Sequence, residues 1–89
     1  MKIVFTSHFK RKYKKRVLIS TDLHQKAVEK LTIFEKTPEH ASLENHALKG
    51  SLKGYRAITL GYDLRAIFRY EKETNTAFFF DIGTHDQVY

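Results

Sequence analysis

The chain has 89 residues, a formal net charge of +6 and no cysteine. This length allows one domain, residues 1–89, and excludes a second, while the lack of thiols excludes disulfides and thiolate metal sites and makes the cytoplasm the expected compartment. The positive charge favours an anionic partner: nucleic acid, an acidic protein or a membrane surface. The apolar run at residues 1–7 is too short for a signal peptide, and no segment approaches the roughly 18 apolar residues of a membrane helix.

Residues 2–6 are β-branched and aromatic, so they predict a first strand, with Thr6 or Ser7 capping the helix that follows. Apolar residues four apart, at Phe9, Tyr13 and Val17, predict a first helix with a narrow apolar stripe. The rest of this helix is basic, with six lysines and arginines in residues 10–16. That run is either a solvated helix face or a binding surface for RNA or an acidic partner.

A second amphipathic helix is predicted before Pro38. Asp22 and Gln25 have the spacing of a capping box, and apolar residues then recur at helical spacing up to Phe34. The short connection at residues 18–21 predicts a helical hairpin, whose apolar stripe needs a sheet to cover.

A β-hairpin is predicted from the change to a period of two after residue 54. We expect strands at 55–60 and 63–70, joined by a two-residue loop at Gly61-Tyr62. This register pairs Thr59 with Leu64 and Ile58 with Arg65. One face then carries mostly apolar residues, Thr59 among them, that suit packing on the helices, and the other carries Arg56, Asp63, Arg65 and Arg69.

The last strand is predicted at residues 76–82, with Phe78, Phe80 and Ile82 facing the core. Gly83 then releases the chain, and residues 84–89 cross the end of the sheet or add a short edge. The predicted fold is therefore α+β: two N-terminal helices packed on a small, mostly antiparallel, twisted sheet of about four strands.

Histidine, aspartate and arginine side chains on this hairpin suggest chemistry on a phosphate. Cleavage of RNA without a metal needs a base for the 2′-hydroxyl proton, a cation for the phosphoryl oxygens and an acid for the leaving 5′-oxygen. Histidine suits the first and third roles because its ordinary pKa lies near neutrality, and the planar fork of arginine matches phosphate. The candidates are His46, Arg56, Asp63, Arg65 and His85.

Each candidate also has a plainer interpretation. His46 and His85 can be loop residues, and Asp63 after a turn can bond the local backbone. Three arginines on one sheet face, at positions 56, 65 and 69, are harder to explain without an anion or a carboxylate, because like charges across strands repel. No histidine spacing typical of metal ligands occurs, so we expect no metal and no other cofactor.

Three segments of the sequence carry a resemblance to a known family. They are His46-Ala-Leu-Lys-Gly with Lys53-Gly-Tyr-Arg, Asp63-Leu-Arg-Ala-Ile-Phe, and Ile82-Gly-Thr-His-Asp-Gln-Val-Tyr. Together they resemble the RelE/ParE superfamily of bacterial toxin–antitoxin modules, and within it the YafQ-type mRNA interferases. The resemblance covers nearly the whole chain, helices included.

The resemblance implies a small ribonuclease that enters the ribosomal A site, cuts translated mRNA without a metal and is inhibited by a cognate antitoxin. By position, His46 and His85 would transfer protons, Asp63 would orient or assist them, and Arg65 would bind the phosphate. Tyr89 would stack on a base. The RNA backbone would be held by Lys49, Lys53 and Arg56, with Arg69 as a further contact.

One position departs from the family pattern: YafQ-type enzymes carry a histidine where this chain has Thr59. Two other functions stay open, a ParE-like protein that poisons DNA gyrase without hydrolysis, and an inactive module that binds only antitoxin or RNA. We expect an antitoxin with an acidic or amphipathic segment to cover the basic surface, DNA contact only through that antitoxin, and no membrane partner.

Overall fold

The sheet lies at the centre of the fold, and the computed structural model describes it with all of residues 1–89. The strand order is β1-β5-β4-β3-β2, with β1 parallel to β5 and all other pairs antiparallel. This confirms the mostly antiparallel sheet, although it has five strands rather than about four, because a two-residue strand is too short to show a period in sequence. The strands are β1 (Lys2–Phe5), β2 (His46–Ala47), β3 (Arg56–Gly61), β4 (Leu64–Glu71) and β5 (Thr76–Thr84).

Two of the three helices form the predicted hairpin, α1 (Ser7–Arg16) and α2 (Thr21–Lys36). Thr6 caps α1, as expected, because its Oγ1 accepts from the Phe9 N–H at 3.2 Å. The predicted cap of α2 is wrong by two residues, since Ser20 Oγ accepts from the Leu23 N–H at 3.2 Å. Asp22 lies in the first turn instead. No helix has the length and apolar character needed to cross a membrane.

The main core lies between these two helices and one face of the sheet. Three fully buried rings form its centre, from Phe34 of α2, Phe68 of β4 and Phe79 of β5. Their centroids are 5.0 to 5.3 Å apart in tilted or edge-on arrangements. Such aromatic pairs add about 0.5–1.5 kcal/mol each beyond the area they bury.

The β3–β4 hairpin has a different loop from the one predicted. Gly61 ends β3, Leu64 starts β4, and the ladder shifts between Thr59 and Gly61, which leaves Leu60 as an extra residue. Thr59 consequently pairs with Arg65 rather than with Leu64. The predicted register is wrong by one residue, and the two-residue loop is Tyr62-Asp63.

A second irregularity lies in β5. Phe68 pairs with Phe79 but Ile67 pairs with Asp81, so Phe80 is the extra residue. The alternation reverses there, which is how both Phe79 and Ile82 reach the main core while Phe80 stays half-exposed. The expectation that Phe78 and Phe80 face the core is therefore wrong, and that for Ile82 is confirmed.

The face of the sheet opposite α1 and α2, which we call the open face, has a smaller apolar cluster. The last residues form a short helix, α3 (His85–Val88), rather than an edge strand. Val88 of this helix packs with Ala57 of β3 and Ile67 of β4. Helix α3 therefore lies against the open face and positions the C-terminal side chains there.

Candidate functional site

Helix α3 brings His85 and Tyr89 to the end of the open face that carries Arg65. The His85 and Tyr89 rings meet edge-on, with centroids 4.6 Å apart. Burial raises the pKa of Tyr89, while the positive charge of Arg65 acts in the opposite direction. The His85 side chain is 60% exposed, so its imidazole is accessible to a substrate.

The Arg65 guanidinium is half-buried and has a neutral partner. Its Nη1 donates to Thr59 Oγ1 at 3.2 Å, across the β3–β4 pair. No carboxylate forms an ion pair with it. An arginine whose charge is not compensated within the protein is suited to bind an anion such as phosphate.

Gly83 allows α3 to lie close to Arg65. It pairs with Arg65 across the β4–β5 ladder. A Cβ atom at this position would lie 2.7 Å from Gln87 Oε1 and 3.2 Å from Val88 Cγ1, so α3 packs directly over the glycine. Gln87 Oε1 also accepts from the Thr84 N–H at 2.8 Å and caps the first turn of the helix.

His46 and Asp63 lie at two margins of this group. His46 is exposed on strand β2, where it pairs with Ala57, and its Nδ1 lies 2.8 Å from the Glu44 carbonyl oxygen. At about 4.8 Å per strand, β2 lies about 10 Å from β4, so His46 is at the edge of the open face. Asp63 is exposed in the β3–β4 loop and lines a hollow together with Gln87 of α3.

The three arginines predicted on one face do not form one group. Arg56 pairs with Phe68 on the helix side of the sheet, and its Nε donates to Asn45 Oδ1 at 2.8 Å. Arg69 lies at the far end of β4, where it forms an ion pair with Glu71 at 3.1 Å. The repulsion argument for an anion at three arginines is therefore wrong, and only Arg65 lies beside α3.

The remaining predicted RNA-binding residues are Lys49 and Lys53. Both are exposed, and they flank a short 3₁₀ turn, Gly50–Leu52, between β2 and β3. No group of three His, Asp or Glu side chains is arranged to hold a metal ion.

Two residues that support the site were not among the sequence candidates, Thr59 and Gly83. Thr59 holds Arg65, and Gly83 admits α3. The predicted register placed Thr59 on the packed face, and only the extra residue Leu60 moves it to the open face. Gly83 shows no signal of its role in sequence because its role depends on a helix that packs over it.

Comparison with known proteins gives one family and several structures. A family model described as a bacterial toxin of type II toxin–antitoxin systems, YafQ, matches residues 1–89. No curated protein matches the chain. A mutant of YafQ from E. coli superposes with a TM-score of 0.81 at 22% identity, covering 99% of this chain and 97% of that one. The YoeB/ParE toxin from Agrobacterium tumefaciens gives a TM-score of 0.79 at 19% identity, with 96% and 99% covered.

A third similar structure is an E. coli complex of DinJ with YafQ. Its matching chain has a TM-score of 0.73 at 25% identity, with 99% of this chain and 97% of that chain covered. All three similarities extend over nearly the whole chain rather than over the sheet alone.

Proposed function

This chain belongs to the YafQ family of toxins of bacterial type II toxin–antitoxin systems, and from that membership we propose that it is a ribosome-dependent endoribonuclease that cuts translated mRNA. The observation that carries the proposal is the grouping of Arg65, His85 and Tyr89 on the open face. It combines a cation without a carboxylate partner, an exposed imidazole and an aromatic ring. The cation and the imidazole are among the groups that metal-free cleavage of RNA requires, and the ring is a surface on which a base can stack.

The proposed reaction is attack by the 2′-hydroxyl on the adjacent phosphate, with departure of the 5′-oxygen. Arg65 binds the phosphoryl oxygens, where charge grows in the transition state. His85 starts α3, two residues after Gly83, which pairs with Arg65, and it exchanges a proton with the reacting oxygens. His46, at the sheet edge, is the second proton-transfer group. The RNA must approach from the β2 side to reach it. Asp63 orients or assists the histidines.

The RNA path follows from the exposed groups on the same face. Tyr89 offers a ring on which a base can stack. Lys49 and Lys53 contact the backbone from the loop beside His46, as point charges on flexible stems. The Arg69–Glu71 ion pair is about half-exposed, so it contributes little and Arg69 can exchange its partner for a phosphate. Arg56 lies on the other face, and we do not include it in the path.

We further propose that a cognate antitoxin inhibits this chain, as a protein of the same module. Support comes from the similarity to YafQ in a complex with DinJ. The net charge of +6 and the basic side chains of α1 favour a partner with an acidic or amphipathic segment. DNA contact, where it occurs, belongs to the antitoxin.

The test is to express the intact chain in bacteria from a tightly controlled promoter and to map mRNA 5′ ends. We expect cuts within translated frames. Cleavage by His85→Ala should be about 100-fold or more slower, because a general acid or base contributes at least that much to the rate. His40→Ala is the matched control, since His40 is exposed in a loop and its side chain bonds only Ser42. Equal cutting by wild type and His85→Ala would contradict the role of His85.

Two further outcomes would contradict the proposal as a whole. Growth arrest with a DNA-damage response and intact mRNA would favour a gyrase poison of the ParE type. An intact chain without toxicity would favour a module that only binds antitoxin or RNA.

A further inference from the structure

The hollow that Asp63 and Gln87 line lies beside the proposed site, at the end of the sheet. It has a volume of about 420 Å³ and lies between the α1–α2 connection, the β3–β4 loop and α3. Lys15 and Arg16 form one wall, Tyr62 and Asp63 of the loop form another, and Ile19 lies at the rim. None of the roles proposed above accounts for Tyr62.

Two large apolar side chains are exposed here. Ile19 is 78% exposed and Tyr62 is 67% exposed. Single exposed apolar residues are normal, but these two line the same concave surface next to a functional site. An aromatic ring exposed beside a hollow is typical of a place where a flat ligand stacks.

The Tyr62 ring is held in place before any ligand binds. Tyr62 has a left-handed backbone with φ of 52°, as the loop requires. Its hydroxyl donates a hydrogen bond to Asp22 Oδ2 at the start of α2. A ring tethered at both ends loses little conformational freedom on binding.

Charges around the hollow suit a nucleotide better than a free anion. Lys15 and Arg16 supply cations on the α1 wall, while the carboxylates of Asp22 and Asp63 lie on the loop side. A neutral base can lie on Tyr62 between them, and its phosphate can face the cations. Tyr62 and Arg65 are three positions apart in the chain, so their Cα atoms are at most about 10 Å apart, within reach of neighbouring nucleotides of one strand.

We propose that Tyr62 is a second stacking surface, at the end of the sheet, which binds a base of the mRNA adjacent to the cleaved phosphate. The proposal rests on the proposed ribonuclease function. The site then holds two bases, one on each ring, with the phosphate at Arg65 between them. Holding both neighbours fixes the 2′-hydroxyl and the phosphate relative to His85.

The experiment measures cleavage of a short mRNA on purified ribosomes as a function of toxin concentration. Loss of one stacking contact should raise the half-saturating concentration of Tyr62→Ala about tenfold. Tyr62→Phe keeps the ring, so its half-saturating concentration should stay within about twofold of wild type. This variant separates stacking from the hydrogen bond to Asp22. Tyr70→Ala is the matched control, since Tyr70 is also exposed with its hydroxyl bonded to a side chain, Asn75, at 2.6 Å.

A second arm identifies the base. The same mRNA is prepared with one base removed at each position around the cut, and each version is tested with wild type and with Tyr62→Ala. We expect one position at which removal of the base raises the half-saturating concentration of wild type about tenfold. The value for Tyr62→Ala should not change there, because the same contact is already lost.

The outcomes separate this proposal from the proposed function. Cleavage by wild type with Tyr62→Ala indistinguishable from Tyr70→Ala overturns the stacking role alone. If Tyr62→Ala still weakens cleavage of every base-free mRNA, an mRNA base is not the ligand of Tyr62, and the proposal is overturned. That result would indicate a contact with ribosomal RNA or protein. Absence of any cleavage by wild type overturns both proposals.

Discussion

At the scale of single residues, the site depends on how Arg65 is partnered. A carboxylate partner would hold the guanidinium more firmly but would also compensate its charge. Thr59 supplies a neutral acceptor instead, which fixes the orientation and leaves the charge for an incoming phosphate. The family pattern has a histidine at position 59, whereas this chain has a threonine there that holds Arg65, the residue proposed to bind phosphate.

The Tyr62–Asp22 contact predicts a pH effect. The hydrogen bond to Asp22, and then the negative charge of Asp22, raise the pKa of Tyr62 above its ordinary 10.0. The folded chain therefore keeps this proton to higher pH than the unfolded chain. The contribution to stability is fully present below pH 10 and is lost as the pH rises through the raised pKa.

In Asp22→Asn, we expect the phenolate of one of the five tyrosines to form at lower pH, because the charge that raises the pKa is gone. Ultraviolet absorbance during an alkaline titration measures this. Glu29→Gln is the control, because it removes an exposed carboxylate from the same helix without touching a tyrosine. A titration that is the same for Asp22→Asn and wild type would contradict the contact.

At the scale of elements, the sequence predicts which segments form helices and strands better than it predicts which side chains share a face. The helical hairpin, the first strand and the three long strands follow from apolar periodicity. The faces of β3 and β5 do not, because each strand carries one extra residue, Leu60 and Phe80, that reverses the alternation. An irregularity of this kind depends on packing across the sheet and leaves no local pattern.

The same limit applies to the site. Arg65, His85 and Tyr89 are recognisable by residue type and family resemblance, whereas the separation of Arg56 from them depends on the register. Helix α3 is also hard to predict, since four residues are too few to show a helical period and its stability comes from packing on Gly83.

The packing of α3 predicts the effect of Gly83→Ala. The added methyl group meets Gln87 and Val88, so we expect α3 to move away from the sheet and His85 to leave Arg65. Cleavage should fall about tenfold or more, since small misplacements at a reacting centre have large effects. The loss of stability should stay at or below about 1–3 kcal/mol, because a four-residue helix can shift without disturbing the main core.

Cleavage of ribosome-bound mRNA and thermal unfolding measure the two effects, and NMR shifts of His85 and Val88 report the position of α3. Gln87→Ala added to Gly83→Ala removes the atom nearest to the new methyl group. It should therefore restore part of the helix position. Full activity of Gly83→Ala would show that the site does not need α3 in this place.

At the scale of the whole molecule, two apolar clusters lie on opposite faces of one sheet and have different tasks. The main core, of 13 buried residues, joins the sheet to α1 and α2 and carries the stability of the fold. The smaller cluster on the open face, of 3 buried residues, fixes α3 and so positions the site. Stability and activity should therefore respond separately to changes on the two faces.

Adjacent phenylalanines of β5 test this division. Phe79 is fully buried against Phe34 and Phe68, so Phe79→Ala should cost about 3–5 kcal/mol in the free energy of unfolding. This is a large part of the total of about 5–15 kcal/mol expected for such a domain. Phe80 is half-exposed on the open face beside Tyr55, so Phe80→Ala should cost less than half as much.

Denaturant unfolding of both variants measures the difference, with the slope against denaturant showing whether the same fold unfolds. If residues 78–82 alternated strictly, without the extra residue in β5, Phe80 would face the main core. Phe80→Ala would then lower the free energy of unfolding more than Phe79→Ala. A larger loss for Phe80→Ala would therefore contradict the shifted register. The placement of Asp81 and Ile82 would also be contradicted, because it depends on the same shift. So would the path by which β5 leads into α3 and carries His85 to Arg65.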